Sequence, residues 1–229
     1  MKKTKIIATI GPASMSYFTL KSMHKNGMNI ARINTKWGNE KQYEKILENL
    51  KKVDHCEIMF DINSTKKIGW IKKQNFNYIA LSYASGKEEI RKIRKLFFPK
   101  KIKLIAKIET KEGLKKIDEI IRESDGVMVA RGDLSKNTSY EKVPIEQKII
   151  IKKSKARKKF VITATEMLLS MMKSKSPERA EISDIANAVI DGSDAVMLSE
   201  ETAIGKYPVL AIKTMKKTIE YTEKNSEKI

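Results

Sequence analysis

Two hydrophobic periods take turns along this chain. Short apolar runs rich in β-branched residues end abruptly on charge, and the polar stretches between them carry apolar residues every three or four positions. The runs predict strands at Lys5–Ile10, Asn29–Asn34, Glu57–Ile62 and Tyr78–Tyr83. Four more follow at Ile102–Glu109, within Asp125–Asp133, at Phe160–Thr165 and at Asp194–Ser199. Tyr43, Ile46, Leu47 and Leu50 share one face of a helix over Lys41–Lys52, as Ile90, Ile93, Leu96 and Phe97 do over Lys87–Phe98. Leu114, Ile117, Ile120 and Ile121 predict a helix between the fifth and sixth strands. Further helices are predicted over Tyr17–Lys25, Val143–Arg157 (opened by Pro144), Glu178–Ile190 and Pro208 to about Glu223. Only a short, weak one fits around Lys66–Gln74.

A strand, a helix and a strand within about 30 residues form a βαβ unit, whose crossover makes the two strands parallel. Eight such units suit a single (β/α)8 barrel, or TIM barrel, over residues 1–229. An eight-stranded open sheet is the rival, but no Gly-rich dinucleotide turn supports it. In either arrangement Lys107, Glu109 and Asp133 sit at the carboxyl ends of strands, on one rim. A cation and two carboxylates there can hold a divalent metal and stabilise an oxyanion, or they can simply pair with one another.

Composition narrows the partners. With 41% hydrophobic residues the chain can bury a substantial core, and no apolar run is long enough to cross a bilayer. The amino terminus carries no signal-peptide pattern, and the single cysteine, Cys56, suits a reducing cytoplasm. Net charge is +19, which raises a nucleic-acid partner. Only seven basic residues are arginine, however, and the lysines spread along helix faces, so the expectation is a solvated surface with no specific nucleic-acid recognition. Non-specific attraction to polyanions stays open. His24 and His55 fit no metal or triad spacing and read as surface residues; Met167, Met171 and Met172 read as packing.

Several runs also resemble one family. They are Thr4-Lys-Ile-Ile-Ala-Thr-Ile-Gly-Pro-Ala-Ser14, Met28-Asn-Ile-Ala-Arg-Ile-Asn34, Lys107-Ile-Glu109, Val127-Met-Val-Ala-Arg-Gly-Asp133, Ile162-Thr-Ala-Thr165 and Asp194-Ala-Val-Met-Leu-Ser199. Their wording and order are similar to the pyruvate kinase family, from about Lys3 to Lys224. The resemblance implies phosphoryl transfer from phosphoenolpyruvate to ADP, giving pyruvate and ATP, with Mg²⁺ or Mn²⁺ held by Glu109 and Asp133. It implies that Lys107 and Arg32 stabilise the transferring phosphoryl group and that Thr165 assists protonation of the enolate. The substrate would be bound by Arg32, by the backbone of Ala130, Arg131 and Gly132, and by Asp133 and Thr165. The structural alternatives are that Arg32 pairs with Asp61 and that Thr165 caps a loop.

The nucleotide half departs from that pattern. The family's Asn-Phe-Ser-His-Gly stands here as Asn34-Thr-Lys-Trp-Gly38, and its Asp-Thr-Lys-Gly-Pro-Glu-Ile-Arg as Asp61-Ile-Asn-Ser-Thr-Lys-Lys-Ile68. Asn34, Lys36, Asp61 and Ile62 match the region that holds a monovalent cation in the family. Lysine has no acceptor, so Lys36 is expected beside Asp61 in place of K⁺, with K⁺ not required. Lys66 and Lys67 offer further charge, and Glu166 and Glu200 replace the family's Gln and Gly. About 15 residues separate Ile62 from Tyr78, too few for the family's inserted lid, and the chain is expected to carry neither lid nor carboxyl-terminal regulatory domain. Two alternatives accompany the kinase: pyruvate-enolate chemistry without nucleotide (oxaloacetate decarboxylation or an aldol-type lyase), and a non-catalytic metabolite-binding or scaffold descendant. Pro177-Glu-Arg-Ala-Glu181 resembles a family contact segment, so a homo-oligomer is expected.

Overall fold

Alternation along each strand sorts its side chains to two faces, and both faces are apolar here, which is the condition for a sheet covered on both sides. The structure, a computed structural model, describes residues 4–226. In chain order the first half runs β1 (Lys5–Thr9), α1 (Tyr17–Lys25), β2 (Met28–Asn34), α2 (Glu40–Leu50), β3 (Glu57–Ile62), α3 (Ile68–Ile71), β4 (Tyr78–Leu81) and α4 (Lys87–Phe97). The middle is β5 (Lys103–Ile108), α5 (Lys111–Lys115), α6 (Ile117–Glu123), β6 (Gly126–Ala130) and α7 (Arg131–Asn137). Then come α8 (Val143–Ala156), β7 (Phe160–Ala164), α9 (Arg179–Ile190), β8 (Ala195–Leu198), α10 (Glu200–Ala203) and α11 (Pro208–Asn225). Each strand pairs in parallel with the next, and β8 pairs with β1, so the sheet closes into a (β/α)8 barrel.

The two faces make two cores. Ile7, Ile30, Met59, Ile105, Met128, Ile162 and Met197 fill the barrel interior. Their outward neighbours, such as Ala8, Ala31, Phe60, Leu104 and Val127, pack under the helices. Small backbone clearances fix the closure. A Cβ on Gly126 would lie 2.5 Å from the Phe160 carbonyl oxygen, so β6 approaches β7 this closely only with glycine.

Helix starts follow side-chain caps. Ser16 accepts from the Thr19 N–H, Asn39 from Gln42 and Thr110 from Gly113, while α9 opens on a capping box between Glu178 and Glu181. The stripe predicted from Leu114 to Ile121 is two helices, α5 and α6, broken at Lys116. The apolar period runs across the break, so the pattern alone reads as one helix. Helix α7 was not predicted, because Arg-Gly-Asp-Leu-Ser-Lys-Asn carries one apolar residue and no stripe. Only residues 63–77, with the single turn of α3, connect β3 to β4.

Candidate active site

The inward register of the barrel builds the site. Two positions beyond the apolar interior residue, at the carboxyl end of six of the eight strands, the same face turns polar: Ile7 to Thr9, Ile30 to Arg32, Met59 to Asp61, Ala80 to Ser82, Ile105 to Lys107 and Met197 to Ser199. These side chains join around the rim. Leu198 O accepts from Thr9 Oγ1 at 2.9 Å, and Thr9 Oγ1 accepts from Arg32 Nη1 at 2.6 Å. Arg32 Nε and Nη2 both reach Asp61 Oδ2, at 2.9 and 2.8 Å. Asp61 Oδ1 accepts from Ser82 and from Lys107, each at 3.2 Å, and Lys107 Nζ donates to Ser82 Oγ at 2.9 Å. Lys107 Nζ also lies 3.0 Å from Glu109 Oε1.

All four charged groups are buried: Arg32 5%, Asp61 1%, Lys107 7% and Glu109 1% exposed. Two cations and two carboxylates leave the cluster neutral, which offsets the desolvation each ion suffers alone. Burial by itself would raise the Asp61 carboxyl, but the charges of Lys107 and Arg32 outweigh it and hold it below its ordinary value. Burial would lower Lys107 in turn, and Asp61 with Glu109 reverses this, so the ammonium is held above its ordinary range. Arg32 therefore does pair with Asp61. Of its five donors three are engaged here, which leaves two for a ligand in the cavity it lines.

Glu109 is the unbalanced member. Burial pushes its carboxyl above the usual value, and Lys107 and the Tyr83 N–H offset only part of that. Its Oε2 accepts from the Tyr83 N–H, whereas Oε1 is buried and receives no hydrogen bond of acceptable geometry despite the nearby ammonium. Glu109, Asp133 and Tyr83 line one cavity of about 210 Å³ together with Arg32, Lys107 and Thr165. The phenol of Tyr83 is raised first by the charge of Asp133, then by burial and Glu109, so the two carboxylates act on the same point. No group of three or more His, Cys, Asp or Glu among the described residues is placed to hold a metal. A buried carboxylate oxygen without a donor and a second, half-buried carboxylate fit a hard cation that completes its shell with water and substrate oxygens.

Across the cavity, Gly132 N–H donates to Thr165 Oγ1 at 2.8 Å, and the Thr165 hydroxyl donates to its neighbour's carbonyl, Ala164 O, at 2.5 Å. Thr165 and Glu166 hold φ of 72° and 54°, a left-handed conformation that costs a β-branched residue of order 1–3 kcal/mol. What holds it is Arg131, whose side chain turns away from the cavity. It donates to the carbonyls of Ala164, Thr165 and Glu166, and to Asp184 Oδ1 at 2.6 Å. Of the run Ala130–Gly132, Ala130 lines the cavity and Gly132 reaches it through its N–H bond to Thr165. The sequence could not disclose the orientation of Arg131.

A second cavity, of about 370 Å³, opens beside the first and shares Arg32, Asn34, Trp37, Ser199 and Glu200 with it. Its remaining lining is mainly apolar, from Ile10, Gly11 and Pro12 after β1, Tyr43 and Ile46 on α2, and Ala203 with Ile204 at α10. A Cβ on Gly11 would lie 2.6 Å from Ala203 O, so glycine is what lets the first and last loops meet here. This pocket joins residues some 190 positions apart, and sequence reading missed it; Trp37 was the one signal. The expected Lys36–Asp61 pair is not formed. The Lys36 ammonium lies 5.4 Å from the Trp37 ring centroid, Asn34 Oδ1 accepts from the Lys36 N–H, and the Asp61 charge is met by Arg32 and Lys107. Lys67 instead caps the Thr35 carbonyl at 2.8 Å, beside the Tyr43 hydroxyl. Outside the site, Cys56 is a half-buried thiol pushed up to about 11 by burial, and His24 bonds the Met28 carbonyl at 2.9 Å. Met167 and Met171 are buried packing, as expected.

Comparison with known proteins places this arrangement. The family model for the pyruvate kinase barrel domain matches residues 1–61 and 61–212, two pieces that meet at the end of β3. A pyruvate kinase of Methanocaldococcus jannaschii is 46% identical over 171 residues, which is 74% of this chain and 38% of that protein. One of Geobacillus stearothermophilus is 47% identical over 177 residues, 76% of this chain and 28% of its own. One of Thermoplasma acidophilum is 31% identical over 317 aligned positions, 96% of this chain and 58% of that protein. The last alignment is longer than the present chain, so that relative carries residues this barrel lacks. This chain spans less than two thirds of each of these relatives.

Proposed function

From its place in the pyruvate kinase family, to which this chain belongs, we propose that the barrel transfers a phosphoryl group between phosphoenolpyruvate and a nucleoside diphosphate, forming pyruvate. The reading rests on one observation above all: the neutral, buried cluster Arg32–Asp61–Lys107–Glu109 ends on a carboxylate oxygen that the Lys107 ammonium approaches without a well-formed hydrogen bond, in a cavity that also holds Asp133. Glu109 and Asp133 would hold a divalent cation, which supplies Lewis-acid neutralisation of phosphoryl and enolate charge. Arg32 turns its two spare donors to the phosphoryl oxygens. The Lys107 ammonium, already poised among carboxylates, faces the enol oxygen as the P–O bond breaks and its negative charge grows. The substrate carboxylate takes over the Gly132 N–H that Thr165 now holds. That frees the Thr165 hydroxyl on the face where carbon gains its proton.

The apolar cavity would take the nucleotide base, with Trp37 and Pro12 against its faces and the terminal phosphate directed to Arg32. Glu200, on the wall common to both cavities, opposes those phosphates, and this favours slow transfer or enolate chemistry without nucleotide as the second reading. The barrel works in this reading without an inserted lid, as a cytoplasmic protein and with no need for K⁺. A coupled assay for pyruvate from phosphoenolpyruvate with Mg²⁺ or Mn²⁺ tests it, with Lys107→Met as the blank. ADP-dependent pyruvate above that blank supports the kinase. Pyruvate from oxaloacetate without ADP, and none from phosphoenolpyruvate, supports the second reading, and neither product overturns both.

A further inference from the structure

The far end of the barrel carries a feature that catalysis does not use. In a parallel barrel every helix-to-strand loop emerges on the amino-terminal face, opposite the rim that bears Lys107. Three neighbouring loops there, feeding β3, β4 and β5, are crowded with lysine. Lys51 and Lys52 leave α2, both exposed. Lys72 and Lys73 leave α3, also exposed. Lys100, Lys101 and Lys103 lead into β5. The loops touch one another: Lys72 Nζ donates to Phe98 O at 3.3 Å, Lys100 bonds Gln74 O, and Asn77 N–H donates to Ile58 O at 2.8 Å. Neighbouring strands about 4.8 Å apart therefore place seven lysines on one face, with Lys72, Lys100 and Lys103 held against Phe98 O, Gln74 O and the Tyr78 ring. Acids are outnumbered in it. Glu57 is already held by Lys5 and Tyr78, Asp125, beside Lys103, by Arg94 and the Leu104 N–H, and Asp54 is exposed.

Helix C-termini favour cations, and that alone can account for one lysine per loop. It does not account for an exposed aromatic ring among them. Phe98 is 75% exposed, on the loop whose carbonyl Lys72 holds and next to Lys100, whose ammonium lies 4.2 Å from the Phe76 ring. Cations that track a phosphate chain, beside a ring on which an unpaired base can stack, form the elementary surface for single-stranded nucleic acid. A single phenyl group offers too little apolar area to insert into a membrane, where a whole helical face is needed. We propose that this face binds single-stranded nucleic acid without sequence preference, through the lysines of the three loops and stacking on Phe98.

Fluorescence anisotropy with a labelled oligouridylate tests this on the full chain. With about five phosphates contacted at a salt slope of ~0.7 each, affinity should fall roughly 10²-fold between 50 and 200 mM salt. Lys52→Glu/Lys73→Glu/Lys101→Glu, one change per loop, should weaken binding at least tenfold more than the charge-matched Lys45→Glu/Lys213→Glu/Lys217→Glu on helix surfaces. Phe98→Ala should weaken it at least fivefold. Both triple variants are to be compared at an unchanged unfolding midpoint, and the comparison is repeated with single loop substitutions if either unfolds. Equal loss in the two triples would mean attraction to net charge alone and overturn the proposal. Flotation with phosphatidylserine vesicles that depends on Phe98, without oligouridylate binding, would overturn it in favour of a membrane surface.

Discussion

The two cavities at the carboxyl end of the barrel share a wall at Arg32, Asn34, Trp37, Ser199 and Glu200, yet they are built from different materials. The smaller one is made of strand ends. Its central charges, Arg32, Asp61, Lys107 and Glu109, are buried and mutually neutralised, and a hydrogen-bonded arc runs from β8 round to β5. The larger one sets the loops after β1, β2 and β8 against the face of α2, and its exposed members include Trp37, 68% accessible, and Ile204, 59%. Strand ends inherit their positions from the register of the whole barrel, so one misplaced charge disturbs every neighbour. Loop residues answer only to local contacts. The first region is therefore costly to alter, and the second is free to vary.

The comparison is broken most severely at Asp61. Replacing it with asparagine leaves Arg32 buried without a counter-charge and Lys107 with Glu109 alone, and breaking such a buried pair costs about 3–5 kcal/mol. Chemical denaturation should register a loss of that size. The pH dependence gives a second reading of the same group. The folded-state value of Asp61 lies below its unfolded value, so its contribution is fully present above about pH 4 and disappears as pH falls through the lower folded value. Wild type should therefore lose stability in acid more steeply than Asp61→Asn. Parallel acid profiles would show that Asp61 carries no such linkage.

Next in size is Lys107→Met, which removes the donor aimed at the developing enolate. Loss of one such donor costs about 10²–10³ in rate, and pyruvate formation should drop by that amount. Trp37→Ala, on the wall common to both cavities, should act chiefly on the nucleotide side, because Trp37 touches none of the buried charges of the first. Stacking on an aromatic ring is worth about 1–3 kcal/mol, so the KM for ADP should rise at least fivefold while that for phosphoenolpyruvate stays put. Equal changes in both constants would merge the two regions into one. The smallest effect is expected at Lys36. Its ammonium over Trp37 contributes about 0.5–1 kcal/mol at an exposed site, so Lys36→Ser should change activity less than tenfold. Swapping K⁺ for a bulky organic cation should leave wild type unaffected, because Arg32 and Lys107 already neutralise Asp61. Strong activation by K⁺ would contradict that arrangement.

What the sequence made legible follows the same division. Strand ends could be read because β-branched runs stop on charge, and a period of two carries the inward face from Ile105 to Lys107 and from Met59 to Asp61. The barrel followed from eight such runs with helices between them. Loops could not be read in this way. Nothing in Thr165-Glu166 announces two consecutive left-handed residues, since their support comes from Arg131, 34 positions earlier, donating to the Thr165 carbonyl. Lys36 was expected beside Asp61 by its place in a motif, but Trp37, one residue on, offers a nearer surface for its charge. The lysine patch opposite the rim is equally invisible in one dimension, because its members come from three loops over 50 residues of chain.

The central claim is that the strand-built cavity is competent whatever the fate of the loop-built one, and enolisation of pyruvate isolates it. On the proposed reading, exchange of the pyruvate methyl protons in deuterated buffer with Mg²⁺ or Mn²⁺ and no nucleotide, followed by NMR, calls on Lys107, Glu109, Asp133 and the Thr165 side of the site alone. The account predicts exchange faster than in protein-free buffer containing the same metal. Glu109→Gln should remove the gain by weakening the metal site, whereas Trp37→Ala should keep it. Exchange no faster than the protein-free control would contradict the account at its root.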